Sequence, residues 1–214
     1  MLYMIDTAKR FFFHKSFANS YARDTIPWDI GRPKPPFLEV ADMMADPILD
    51  AGCGTGDTSL YFASRGLTVV GIDFVEEAIA KAKAKAAGRD LPVEFMVKDA
   101  VKLGEWDLRF NSVIDSGLLH ACWDRKQYAN GLRHVINPGG RVFVYYFKDD
   151  PTSPYGGISD KKLQEIFNEG WEIESIKSVE SSEEDLNENF KKEHADEYPR
   201  GGWKMKFAII RKQS

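Results

Sequence analysis

Between residues 47 and 147 short apolar runs alternate with segments of helical period. Ile48-Leu49 runs into Asp50, Leu67-Thr-Val-Val-Gly-Ile into Asp73, Val93-Glu-Phe-Met-Val into Lys98-Asp99, and Phe110-Asn-Ser-Val-Ile into Asp115. A fifth run, Arg141-Val-Phe-Val144, follows the turn Asn137-Pro-Gly-Gly. Brief apolar runs bounded by turn residues predict buried strands. After Asp73, Val75, Ala78, Ile79, Ala82 and Ala86 fall on one stripe while Lys81, Lys83 and Lys85 fall off it, and Gly88 is a stop, so a helix is predicted there. Asp57 and Thr58 are placed to cap the helix before it, which Gly66 ends. Strands alternating with helices predict a parallel sheet with helices on both faces. Further on, 159–169 predicts another helix starting near Ser159, and 171–179 and 203–211 alternate as two late strands. No internal repeat is visible.

Two segments break the pattern. Residues 1–46 precede the first strand, and Pro27-Trp28-Asp29-Ile30-Gly31-Arg32-Pro33-Lys34-Pro35-Pro36 predicts an extended, stiffened stretch rather than a helix. Residues 180–201 carry Glu183, Glu184, Asp185, Glu188, Glu193, Asp196 and Glu197. Their plain reading is a solvated, mobile surface loop, with a substrate cap as the other reading.

Length and composition change the picture only at its edges. A chain of 214 residues is enough for one well-buried domain and short for two. A net charge of −4 argues against the usual basic nucleic-acid surface. Of the two cysteines, Cys53 sits among glycines, which disfavours a structural disulfide and favours a reducing compartment, hence the cytoplasm. No apolar run reaches membrane-spanning length. Met1 to Phe17 places Lys9, Arg10 and Lys15 among aromatics and lacks the apolar core and cleavage site of a signal peptide, so a basic amphipathic helix is the plainer reading.

The densest chemistry lies in Ile48-Leu-Asp-Ala-Gly-Cys-Gly-Thr-Gly56. A strand running into alternating glycines and then a helix presents backbone N–H groups to a nucleotide-like ligand. A phosphate-binding loop would need a Gly-Lys-Ser/Thr end, and no lysine follows here. A dinucleotide fingerprint needs glycine or alanine at position 57, which is Asp57. Asp73 lies 21 residues after Gly52, near the offset at which an acid meets a ribose hydroxyl pair in nucleotide-binding βαβ units.

Gly52, Gly54 and Gly56 with Asp50 resemble the first motif of the class I S-adenosylmethionine-dependent methyltransferases. The runs ending at Asp73, Asp99 and Asp115 and the Asn137-Pro-Gly-Gly turn follow in the order that family shows. The resemblance implies an α/β fold, a Rossmann-like doubly wound seven-stranded sheet in three α/β/α layers, mostly parallel with an antiparallel last strand. It divides the chain into an N-terminal helical arm and lid, 1–46, and a methyltransferase domain, 47–214. It implies S-adenosyl-L-methionine as co-substrate, no metal, and a donor site of Asp50, Gly52, Cys53, Gly54, Gly56, Asp73, Phe74, Asp99, Ala100 and Ser116.

Each of these residues also has a bland reading. Asp73 accepts from both ribose hydroxyls, caps the next helix, or does both. Asp50 holds the donor's ammonium or caps the glycine loop. Phe74 flanks the adenine or is core, and Asp99, with the Ala100 N–H, faces the adenine amino group or is a turn residue. Cys53 is a small filler rather than a nucleophile, because the donor is already activated. Asp115, Ser116 and His120 line the end of the fourth strand, where ligands sit in open sheets. His120, the candidate catalytic residue, takes a proton from the acceptor or is a partly buried histidine bonded within its helix. Trp123, Tyr145, Tyr146 and Phe147 form an aromatic acceptor pocket or belong to the core.

The Trp28-Asp-Ile-Gly-Arg32 stretch is similar to a signature of the thiopurine and thiol/halide methyltransferase-like branch, where the segment folds over the donor. The likeness implies that Trp28 faces the sulfonium and that Arg32 meets an anion; otherwise Trp28 anchors the arm. It points to a small-molecule acceptor and, within that class, to a thiol. Thiolates need little base catalysis, whereas a phenol or amine needs a proton acceptor. The alternatives are N- or O-methylation of a small metabolite, a protein or RNA substrate, and a non-catalytic donor-binding protein. Asp115-Ser-Gly-Leu stands where many nucleic-acid amino-methyltransferases carry Asn-Pro-Pro-Tyr. A monomer or homodimer, with no nucleic acid or membrane partner, completes the expectation.

Overall fold

Each apolar run becomes a strand in the computed structural model, which describes residues 15–22, 26–150, 157–193 and 202–213. The strands are β1 (Ile48–Ala51), β2 (Val69–Asp73), β3 (Val93–Val97), β4 (Phe110–Ser116), β5 (Ile136–Phe147), β6 (Trp171–Glu180) and β7 (Lys204–Lys212). The helices are α1 (15–22), α2 (Pro35–Glu39), α3 (Asp57–Ser64), α4 (Glu76–Ala86), α5 (Leu118–Ala121), α6 (Arg125–Val135), α7 (Asp160–Ile166) and α8 (Glu188–Glu193).

The seven strands lie in the order β3-β2-β1-β4-β5-β7-β6. β1 to β5 pair in parallel, and β7 runs antiparallel to both β5 and β6. Strand alternation separates two cores. On one face Val142, Val144 and Tyr146 of β5 pack with Tyr128 and Leu132 of α6 and Leu163 of α7. On the other, Phe143 and Tyr145 pack with Phe37 of α2 and Phe62 of α3. The result is three layers, with helices covering both faces because both faces are apolar. The order reverses between β1 and β4, so a crevice opens beyond the carboxyl ends of these two strands.

Three local expectations meet the structure differently. Ser159 caps α7 as predicted, accepting from Lys162 N at 3.1 Å. Asp57 does not cap α3; Gly56 is the cap residue, with no side-chain cap bond, and the Asp57 carboxylate accepts from Lys85 Nζ at 2.8 Å. The acidic segment after β6 is not simply a solvated loop over its described part. It forms a 3-10 turn (Glu183–Asp185) and α8, and Ser181, Asp185 and Leu186 are buried. Its charges misled because their side chains alternate with inward-facing ones over too few residues for a period to show. The basic helix expected at the N-terminus lies mostly outside the described residues.

Candidate active site

The glycine loop after β1 is pinned from below. Gly52 N and Cys53 N both donate to Ile72 O of β2 at 2.8 Å. Gly56 has φ +83°, and a Cβ there would stand 2.7 Å from the Phe95 ring, so glycine is required on conformational and steric grounds. At Gly54, φ +55°, a Cβ would stand 2.9 Å from the Tyr21 hydroxyl, so α1 lies directly over the loop.

Acids surround this loop. Asp50 accepts from Ser59 Oγ at 2.6 Å, and burial pushes its carboxyl up to about 7. Asp73 accepts from Gly54 N at 3.1 Å and Val75 N at 2.9 Å. Burial still pushes it up to about 6, since desolvation outweighs those donors. Asp29 accepts from Thr55 Oγ1 at 2.9 Å, and Lys85 Nζ reaches Asp57 at 2.8 Å and Asp29 at 3.5 Å. Burial holds the Cys53 thiol well above its usual value, so it is not a thiolate.

Two spaces adjoin the loop. A narrow slot is lined by Gly52, Asp73, Phe74, Asp99, Ala100 and Trp123, with Asp99 Oδ1 accepting from Val101 N at 3.0 Å. A chamber of ≈ 580 Å³ extends from the other side of the loop. Its walls are aromatic: Trp28 from the N-terminal segment, Tyr145 and Phe147 from β5, Phe190 from α8 and Trp203 ahead of β7, with Met205 among them. Ser116, Gly117 and His120 form its floor.

His120 is neutral here. Its Nδ1 accepts from the Phe147 N–H at a long 3.4 Å, which leaves Nε2 as the protonated nitrogen. Burial first, and Arg125 second, lowers its pKa to about 3. Asp115 does not line the chamber. It is buried under α5 and α6, accepting from Leu119 N at 3.1 Å and Tyr128 Oη at 2.9 Å. Of the expected aromatic group, Tyr145 and Phe147 line the chamber, Trp123 lines the slot, and Tyr146 points into the opposite core. Period-two alternation divides neighbours on β5 between the two faces.

The segment 26–34 lines one end of the chamber. Trp28 is 41% exposed; its Nε1 donates to Tyr21 Oη at 3.3 Å, and its ring lies 5.6 Å from that of Phe17. Arg32 Nη2 donates to Glu184 O at 3.1 Å and faces Asp185 at 3.6 Å. Lys34 Nζ donates to Asp185 O at 2.8 Å. Asn187 completes the join, donating from its backbone to Pro27 O at 3.0 Å and from Nδ2 to Asp29 O at 2.7 Å. The N-terminal segment and the acidic segment therefore form one cap. Sequence reasoning missed Tyr21, Asp29, Lys34, Asn187 and Phe190. Asp29 stood inside the Trp-Asp-x-Gly-Arg stretch as a signal; the others had none. Among the described residues no cluster of His, Cys, Asp or Glu is arranged for a metal ion, and no helix is long and apolar enough to cross a membrane.

Residues 48–140 match the sequence profile of the family described as a methyltransferase domain. The chain is 36% identical over 160 residues to a 2-heptyl-1-hydroxyquinolin-4(1H)-one methyltransferase of Mycobacteroides abscessus, spanning 70% of each chain. A solved structure from work on the conversion of a disulfide bond into a thioacetal group during echinomycin biosynthesis superposes with a TM-score of 0.73 at 29% identity, over 88% of this chain and 86% of that one. The 1,6-didemethyltoxoflavin-N1-methyltransferase of Burkholderia thailandensis, solved with 1,6-didemethyltoxoflavin and S-adenosylhomocysteine bound, shares the fold, with a TM-score of 0.68 at 21% identity over 94% and 87% of the two chains.

Proposed function

This chain belongs to the class I S-adenosylmethionine-dependent methyltransferases, and from that premise we propose that it methylates a flat, mainly apolar small molecule whose nucleophile arrives as an anion. The observation that carries this reading is the aromatic chamber, continuous with the glycine loop and lined at its far end by the cap. In it the donor's methionine and ribose lie against the backbone of Gly52, Cys53 and Gly54, whose close approach the missing side chains at 52 and 54 allow; the N–H groups of the three are themselves spent on Ile72 O and Asp73. Asp73 meets the ribose hydroxyls, and the adenine enters the slot between Phe74 and Asp99, with the Ala100 N–H beside it. Trp28 offers an indole face to the sulfonium. The acids Asp29, Asp50 and Asp57 suit the donor's ammonium.

Transfer is an in-line displacement. The acceptor's lone pair forms the new bond to the methyl carbon, and the C–S pair leaves with sulfur. A cation and an anion become two neutral products, a change that a dry site favours. Alignment and water exclusion account for about 7–11 kcal/mol of barrier reduction in well-oriented reactions. His120, neutral and with Nδ1 already accepting, acts here as a hydrogen-bond donor to the acceptor rather than as its base.

An aromatic hydroxyl is the favoured nucleophile, in keeping with the hydroxyquinolone named for the 36% identical relative. A thiol is the second reading, supported by the Trp28–Arg32 signature and by the sulfur chemistry of the echinomycin-pathway structure. Incubation of the protein with methyl-labelled donor and matched probes, 1-hydroxyquinolin-4-one, 2-naphthol, 2-naphthalenethiol and 2-naphthylamine, tests both. Label on the hydroxyl or thiol probes, rising as each ionises, is expected. Transfer to the amine alone, or only to macromolecules of a cell extract, overturns the proposal.

A further inference from the structure

The chamber is electrically divided along its length. Its donor end is walled by Asp50, Asp57 and Asp73, with Asp29 beside them. Its cap end carries Arg32, Lys34 and the carboxylate of Asp185. That carboxylate accepts from Ser182 N at 3.1 Å and faces Arg32 at 3.6 Å, while Lys34 reaches only the main-chain carbonyl of the same residue.

The two cations are not equivalent. Arg32 is 41% exposed at its side chain and is occupied by Glu184 O and Asp185. Lys34 is only 9% exposed, between Pro33 and Pro35, which stiffen its backbone, and ahead of α2, whose first residue is Pro35. Its Nζ donates to the Asp185 carbonyl. An ammonium has three donors, so among the described residues two of Lys34's have no partner. A buried ammonium in that condition is costly unless something in the adjoining space accepts from it. The adjoining space is the acceptor half of the chamber, whose other walls are aromatic apart from Arg32, Ser181 and the Asp185 carboxylate, so Lys34 and Arg32 together outnumber the one acid there.

Resting on the reading of this site as a small-molecule methyltransferase, we infer that Lys34 is its acceptor-recognition residue, meeting an anionic group of the acceptor, whether a carboxylate or an ionised ring oxygen or sulfur. The role assigned to Arg32 from sequence passes to Lys34, while Arg32 holds the cap. Charge is complementary throughout: a cationic donor lies among acids and an anionic acceptor under a lysine. Burial lowers the Lys34 pKa to about 8, so it is charged at neutral pH and loses its charge at mildly alkaline pH. The charged groups facing it are Asp185, Arg32 and Asp29.

Calorimetry on the full chain saturated with S-adenosylhomocysteine tests this with three probes of one shape: 2-naphthoate, ionised 2-naphthalenethiol and neutral 2-naphthamide. At pH 7 for the carboxylate, and at the pH of its ionisation for the thiol, at least one anion should bind the wild type about tenfold or more tighter than the amide. Lys34→Met should abolish the preference and Lys34→Arg should keep most of it. In the wild type, naphthoate affinity should fall by up to about tenfold per pH unit above 8 while naphthamide affinity stays flat. That titration decides the matter if Lys34→Met disturbs the cap. Equal binding of anions and amide, a preference that survives Lys34→Met, or no anion binding overturns the inference. Failure of S-adenosylhomocysteine itself to bind would instead sink the methyltransferase reading, which keeps the two failures apart.

Discussion

Asp73 holds the glycine loop to α4 with both carboxylate oxygens, yet each oxygen retains a lone pair for a ribose hydroxyl. Asp73 is not the cap that the sequence allowed, since Val75 is the cap residue of α4 and no side chain caps it; its bond to the Val75 N–H still leaves room for the ligand-facing reading. Asp73→Ala should weaken S-adenosylmethionine and S-adenosylhomocysteine by about 1.5–3 kcal/mol, the usual worth of hydrogen bonds to a charged group. Calorimetry checks it, and unchanged affinity would take Asp73 out of the donor site. Because burial has raised its carboxyl to about 6, donor affinity should also decline as the pH drops below 6 and the acceptor pairs are lost to a proton. His120 is shifted the other way, downward. Its folded pKa, near 3, lies below the unfolded value near 6.5, so the unfolded chain binds the extra proton between those limits. Stability is thus lost as pH falls below 6.5, by up to about 1.4 kcal/mol per unit. His120→Gln should remove that slope. Thermal melts of both proteins from pH 7.5 to 4.5 show it, and parallel curves would mean that His120 titrates normally and is available as a base.

At the scale of elements, the cap is held by a few bonds that can be broken singly. Asn187 accepts at Oδ1 from Asn189 N and Phe190 N at the start of α8, and its Nδ2 donates to Asp29 O. Asn187→Ala removes both, about 1 kcal/mol for a lost cap and about as much for the bond across segments. The sheet does not depend on either, so the loss should fall on the cap. Hydrogen exchange should speed up in 26–34 and 182–193 and not in β1, β4 or β5, and the acceptor KM should rise several-fold with donor affinity little changed. Loss of protection across the sheet instead would mean that the cap is part of the core. This division also marks what could be read from the sequence. The sheet and α4 were legible because burial on both faces writes short unbroken apolar runs for the strands and a clear 3.6 period for the helix. The glycine loop was legible because positive φ restricts those positions to glycine, and Asp73 and Asp99 were legible as acids that end apolar runs. The cap was not, because it is made of short turns joined by side-chain bonds to carbonyls 151 to 158 residues away in sequence, such as Lys34 to Asp185 and Asn187 to Asp29. Composition records the solvated glutamates of such a segment and is silent on which neighbours turn inward. Tyr146 against Tyr145 shows the same limit at one residue's spacing, since adjacent aromatics go to opposite faces.

For the whole molecule, the charge arrangement separates this protein from dinucleotide-binding proteins built on a similar doubly wound sheet. Both kinds of sheet open a crevice where the strand order reverses. A dinucleotide brings a pyrophosphate to the glycine loop, where a helix N-terminus attracts anions. Here that attraction is opposed: Asp57 begins α3, and Asp29, Asp50 and Asp73 complete an acidic wall that suits the ammonium and sulfonium of S-adenosylmethionine. Lys85, lying between Asp29 and Asp57, offsets only part of that charge. A ligand that binds the folded chain alone stabilises it by about 2.7 kcal/mol at a concentration one hundred times its dissociation constant. At roughly 2–4 °C per kcal/mol for a domain of this size, S-adenosylhomocysteine should raise Tm by about 5–11 °C. NAD at the same concentration should leave Tm unchanged, because its pyrophosphate would lie against those carboxylates. Adding 2-naphthoate should raise Tm further only after S-adenosylhomocysteine is present, since the two ligands share one chamber and the nucleoside forms part of the acceptor's wall. Equal stabilisation by NAD would show that the acidic wall does not select the ligand. A naphthoate shift that does not depend on S-adenosylhomocysteine would show that donor and acceptor occupy separate sites, and would remove the in-line geometry on which methyl transfer in this chamber depends.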